Sequence, residues 1–136
     1  MIKYKKGYKY QLYEDYSVQT PIAGYDIEVR YIKLESNGML TIYKSYAWDG
    51  ASGGAPDLDS FMRPSLVHDV FYQLIRRGLV DKSDIHKINL FMKTLCIEDK
   101  MFKFLAIIFY RLVDKFANRF TSESRLKPVL TAPKSR

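Results

Sequence analysis

A single cysteine, Cys96, stands in 136 residues, so neither a disulfide framework nor a cysteine-rich zinc module is available to this chain. Long apolar runs are missing too. The longest, Phe104 to Tyr110, ends at Arg111, well short of the ~20 residues a membrane-crossing helix needs. The lysines near the N-terminus are followed by no apolar core of signal-peptide type. These absences point to a small soluble protein of a reducing compartment. What is present suffices for a core: 47% of residues are hydrophobic and 27% charged, which excludes a mainly disordered chain. At roughly 100–200 residues per domain, the expectation is one domain over residues 1–120 with a basic tail over 121–136.

The formal net charge is +7, and its distribution says more than its sum. Residues 1–10 carry Lys3, Lys5, Lys6 and Lys9 without an acid, giving +4. Residues 119–136 carry Arg119, Arg125, Lys127, Lys134 and Arg136 against Glu123, again +4, which leaves −1 for residues 11–118. A DNA-reading domain gathers its cations on a folded face, whereas here they flank a neutral body. Two readings stay open: solubilising tails, or ends that hold an acidic protein surface or nucleic acid.

The first third of the chain reads as β-structure. Tyr8, Tyr10 and Leu12 alternate with Lys9 and Gln11, the period-2 pattern of a half-buried strand. Tyr25 to Leu34 alternates again, with Ile27, Val29 and Tyr31 on one face. Asn37-Gly38 suits a type I′ turn, and Met39 to Ala47 is the returning strand. Trp48 to Arg63 has no periodicity and is rich in Gly, Asp and Pro, which predicts a loop long enough to be functional. Three helices follow. The first opens with Pro64 in its first turn and ends at Gly78; the second starts near Asp81 with Ile85, Ile88, Phe91, Met92 and Leu95 inward. The third runs from about Glu98 to Asn118, with Phe102, Leu105, Ala106, Phe109, Leu112, Val113 and Phe116 as its apolar face. The fold class is therefore α+β: an N-terminal antiparallel hairpin or small sheet, a long Gly/Asp loop, then a three-helix C-terminal part.

Chemistry concentrates around His68-Asp69. On a helix His68, Tyr72 and Arg76 share one line, at the boundary of the apolar face. Histidine titrates near neutrality and can serve as base or ligand, while an adjacent Asp points elsewhere. One arrangement makes His68 a base, with Tyr72 beside it, and Asp69 an oxygen ligand for a hard divalent cation such as calcium. Asp49, the backbone of Gly50 and its neighbours, and the loop carboxylates Asp57 and Asp59 would complete such a site. The alternative is architectural: a boundary histidine bonded to a carbonyl, and Asx-type turns in the loop. Asp84 fits a helix-capping role beside Asp81, and its place after Gly78 favours pairing with Arg76 or Arg77 over His68. His86, among Lys82, Asn89 and Lys93, reads as solvated, and Cys96 as a buried small hydrophobe. Ser52 lacks the Gly-x-Ser-x-Gly setting of a nucleophile elbow.

The segments Asp49-Gly-Ala-Ser52, Ser65-Leu-Val-His68-Asp69-Val-Phe-Tyr72 and Ser83-Asp84 resemble the phage and prophage family classed as domain of unknown function 1353. The resemblance spans about residues 40–95 and departs from the family pattern at Gly53-Gly54 and Ser83. It marks Asp49, Ser52, His68, Asp69, Tyr72 and Asp84, and it implies a phage origin more than an activity. The His-Asp-x-x-Tyr helix behind a Gly-rich loop is also similar to secreted phospholipases A2, without their flanking disulfide cysteines. That likeness implies His68 as base and Asp69 as calcium ligand.

Two function classes follow. The first is a virion-associated or assembly component, held to other phage structural proteins by its basic ends, Arg119, Arg125, Lys127, Lys134 and Arg136 among them. It would reside in the host cytoplasm during production and then in the virion. The second is a small metal-dependent hydrolase built on His68, Tyr72, Asp69, Asp49 and Gly50, with Ser52, Arg76 and Asp84 as further pocket residues. A membrane-surface role for Phe102–Phe116, with Lys103, Arg111 and Lys115, is not the expectation, because packing on the other two helices accounts for the same apolar positions.

Overall fold

In the computed structural model, residues 2, 4–6, 10–48 and 58–118 are described. The fold is α+β, with antiparallel sheets first and three helices after them. The chain divides into two compact units, one holding the described strands and the other the helices.

In the β unit, β1 (Tyr4–Lys6), β2 (Tyr10–Leu12) and β7 (Ala47–Trp48) form one antiparallel sheet in the order β1-β2-β7. β3 (Tyr16–Gln19), β6 (Met39–Ile42), β5 (Ile32–Leu34) and β4 (Ile27–Val29) form a second, in that order. Leu12, Ile22, Tyr31, Ile32, Leu34, Leu40, Ile42 and Tyr46 are fully buried in this unit.

Both long strands of the expectation are broken, each at a residue with positive φ. Arg30-Tyr31 is a two-residue turn that folds β4 back on β5, with Val29 opposite Ile32. Tyr31 sits there at φ 72°. A left-handed non-glycine residue costs about 1–2 kcal/mol. Tyr31 is only 1% exposed, and burying a large aromatic side chain is worth about 2–3 kcal/mol, enough to offset the strain. Ser45, at φ 82°, ends the run from Met39 and carries the chain from the four-stranded to the three-stranded sheet. Around it Lys44 N–H donates to Asp15 Oδ1 at 2.7 Å, and Leu12 exchanges backbone bonds with Ser45 and Tyr46.

The turn at Asn37-Gly38 is present but is not type I′, which needs two positive φ angles. Of the two residues only Gly38 is left-handed, at φ 92°. Gly38 N–H donates to Glu35 C=O, and the Gly38 carbonyl accepts from both the Thr20 amide and the Thr20 hydroxyl. A Cβ on Gly38 would stand 2.3 Å from the Thr20 carbonyl oxygen, so this glycine answers a close backbone approach as well as a φ requirement.

In the helical unit, α1 (Asp59–Arg76) begins earlier than expected, and Pro64 is its sixth residue, not part of its first turn. Asp59 is accordingly a first-turn helix acid, favourable at the dipole's positive end, and not a loop carboxylate. Gly78, left-handed at φ 75°, follows the C-cap and donates to Ile75 C=O, as the composition suggests. Asp81 Oδ1 accepts from the Ser83 amide at 2.8 Å and starts one turn of 3₁₀ helix, Lys82–Asp84, ahead of α2 (Ile85–Glu98). Lys100, at φ 75°, separates α2 from α3 (Lys103–Lys115), so the third helix is shorter than predicted and Glu98 belongs to the second.

α2 packs against both α1 and α3. One core cluster joins Phe61, Met92, Cys96, Met101, Ala106 and Phe109, with the Phe61 and Phe109 rings 4.8 Å apart. Arg63, 13% exposed, forks onto Asp99 through Nε and a terminal nitrogen, at 3.0 and 2.8 Å, and also reaches Glu98. That bidentate, partly buried pair ties the start of α1 to the end of α2.

Candidate functional site

Asn89 is the centre of the polar constellation. Its place in α2 follows from spacing: Ile85, Ile88, Asn89, Met92 and Cys96 fall at i, i+3, i+4, i+7 and i+11, so the amide shares the buried stripe. It is 0% exposed, which corrects its placement on the solvated face with His86 and Lys93. A primary amide buried to that extent must have its donors and acceptors satisfied.

The partners come from all three helices. Asn89 Nδ2 donates to Asp114 Oδ1 on α3 at 2.9 Å. Asn89 Oδ1 accepts from the Tyr72 hydroxyl at 2.7 Å and meets His68 Nε2 at 2.8 Å, both on α1. These three bonds fix one another. A carboxylate only accepts, so Asp114 requires the NH2 of Asn89 to face it, which turns the carbonyl oxygen toward α1. A carbonyl only accepts, so His68 must carry its proton on Nε2. The two α1 partners stand one turn apart, with ring centroids 4.0 Å from each other.

Electrostatics agree with that assignment. Burial holds the His68 pKa down at about 4 from the usual 6.5, against the raising effect of its Asn89 bond, and the Arg76 charge adds to the lowering. The imidazole is therefore neutral at pH 7. Burial pushes the Tyr72 hydroxyl above its ordinary value, assisted by the Asp114 charge and opposed by its bond to Asn89, so Tyr72 remains a donor. At the solvent edge, Asp114 Oδ1 also lies 3.4 Å from His86 Nδ1, and the Tyr110 hydroxyl lies 3.1 Å from the same ring nitrogen. His86 is exposed as expected, yet it continues the chain of polar contacts outward from Asn89.

His68 and Tyr72 are together. Asp69, next to them in α1, is half-buried, and Arg76 is buried. Asp84 closes the 3₁₀ turn and is the N-cap of α2, with Oδ1 3.9 Å from Lys87 Nζ, and His68 bonds Asn89. Cys96 is fully buried, and burial pushes its thiol up to about 12, the state of an inert core residue. Asp49, Gly50, Ser52 and Asp57 lie outside the described residues, as do the basic positions Arg119, Arg125, Lys127, Lys134 and Arg136. Among the described residues, no group of three or more His, Cys, Asp or Glu is placed to hold a metal ion.

A second feature lies on the far side of α3. The expected apolar face of this helix is split. Leu105, Ala106, Phe109 and Val113 meet the core cluster. Phe104, Ile108, Leu112 and Phe116 instead form a line exposed by 66%, 45%, 49% and 36%, with Phe102 exposed by 76% at its start. Packing on the other two helices therefore does not account for Phe102, Leu112 and Phe116. The exposed cations Lys103, Arg111 and Lys115 lie on or beside that line. No helix is long and apolar enough to cross a membrane among the described residues. Comparison of the chain with protein-family models, with curated proteins and with solved structures finds no match.

Proposed function

We propose that this protein is a non-catalytic interaction component of a larger assembly, with the outer face of α3 as its docking surface. The exposed line of Phe102, Phe104, Ile108, Leu112 and Phe116 carries this reading. By the size of these side chains it presents on the order of 500 Å² of apolar area, the size of the largest patch on a typical monomer, which is often a functional one. The polar constellation supports the same reading from the other side. His68 and Tyr72 both spend their protons on one buried amide that joins three helices, an arrangement that orients helices. The metal-dependent hydrolase, the alternative, asks His68 to act as base from within that network with a pKa of about 4, when a general base works best near the operating pH. The phage assembly role implied by the sequence resemblance, with basic ends adding contacts to an acidic partner, belongs to this proposal.

Photo-crosslinking in producing cells tests it, with a benzophenone amino acid at position 108 and a control at Lys87, exposed on α2. A docking face gives one dominant adduct, to protein or to lipid, from position 108 and none from Lys87. A folded protein that gives no adduct from position 108, or the same adducts from both, contradicts the reading.

A further inference from the structure

Resting on that reading of α3, we infer that the surface it docks on is an anionic lipid bilayer, with the helix lying flat in the headgroup region. Arg111 and Lys115 follow Phe104 by seven and eleven residues, close to two and three whole turns, so they sit on the apolar line itself. Lys115 Nζ lies 5.5 Å from the centre of the Phe116 ring, its stem alongside the apolar surface. Long basic side chains placed this way bury their methylenes and raise their charge to the level of phosphates, the arrangement of an interfacial helix. Lys103 adds a third cation between Phe102 and Phe104, whose rings stack at 6.4 Å.

Charge then separates the occupants. The described helix carries Lys103, Arg111 and Lys115 against one acid, Asp114, whose Oδ1 is already shared by Asn89 and His86 on the opposite side. A second copy of this chain would bring the same three cations against themselves in a self-complementary contact, which like charges oppose. The length of the helix suits a bilayer as well: 13 residues, about 20 Å long, only need their apolar side sunk to the acyl boundary.

Vesicle flotation of the 136-residue chain tests this, using phosphatidylcholine vesicles with and without about 30% phosphatidylglycerol, at low and at about 0.5 M salt. The expected result is flotation with the anionic vesicles only, weakened by salt. Two double variants, Ile108→Ser with Leu112→Ser and Arg111→Glu with Lys115→Glu, should each reduce binding by at least about tenfold while keeping the helical circular dichroism spectrum. Lys134→Glu with Arg136→Glu changes the net charge equally and should retain flotation; an equal loss there assigns the binding to the basic tail and overturns the inference. Undiminished binding by the Ile108/Leu112 variant overturns it as well. An absence of flotation together with self-association abolished by the Ile108/Leu112 variant makes a second copy the occupant. An absence of flotation with a protein adduct from position 108 makes it an acidic protein. Either outcome defeats the lipid inference while the docking face stands. A monomer with neither flotation nor adduct defeats both.

Discussion

Replacing Asn89 with alanine removes one acceptor and one donor group from the middle of the helical unit, and the consequences differ for its three partners. The Tyr72 hydroxyl, in a residue 3% exposed, is left without its acceptor and out of easy reach of water. A buried, unsatisfied polar group costs about 1–3 kcal/mol. The His68 Nε2–H loses the same acceptor at a half-buried position and adds a smaller amount. Asp114, with a side chain 34% exposed, recovers its lost bond from solvent at little cost. The sum is about 2–4 kcal/mol, a large fraction of the 5–15 kcal/mol typical of small domains. Urea unfolding followed by far-ultraviolet circular dichroism reads it directly: the midpoint should fall while the slope with denaturant stays unchanged. Asn89→Asp should also destabilise at pH 7, because it sets a second carboxylate against Asp114. A loss below about 1 kcal/mol for the alanine variant would refute the reasoning, since it would mean that water substitutes for the amide.

Other outcomes follow from the same geometry. His68 takes up its proton at about pH 4 in the folded protein, against 6.5 when unperturbed. The unfolded chain therefore binds that proton first, and stability attributable to this group is lost as pH falls from 6.5 toward 4, by at most about 3 kcal/mol. His68→Gln keeps an N–H for Asn89 but does not titrate, so it should remove that part of the acid sensitivity; identical acid profiles for the two proteins would count against the assignment. Gly38→Ala should cost about 3 kcal/mol in thermal or urea unfolding, from its positive φ and the Thr20 carbonyl that its Cβ would strike. A near-neutral result there would mean that the turn relaxes freely.

The sequence makes the helical unit legible in outline, because 3.6-residue periodicity survives in Ile85, Ile88, Met92 and Leu95, all buried as expected. It also brings His68 and Tyr72 together correctly, since that requires only one helical turn. The missed residues are instructive. Asn89 was legible in its spacing from Ile85 and Met92, but polar identity outweighs position when a face is read by composition. Asp114 carries no local signal, because its partner Asn89 is 25 residues away and the contact exists only once α2 and α3 pack. In the β unit, alternation alone could not show that Tyr31 and Ser45 reverse or redirect the chain, because neither is a residue type that favours positive φ. On α3, hydrophobicity read as burial misled: one helix offers more apolar positions than two neighbours can cover.

A docking face on α3 requires that its outer line be unneeded by the fold itself. The direct measurement is the unfolding free energy of the protein carrying Phe104→Ser, Ile108→Ser and Leu112→Ser together. Exposed by 66%, 45% and 49%, these side chains are at most about half buried, and the three changes should cost no more than about 3 kcal/mol in all. A loss above about 4 kcal/mol would show that the line packs within the chain, and it would contradict the assignment of α3 as a docking face.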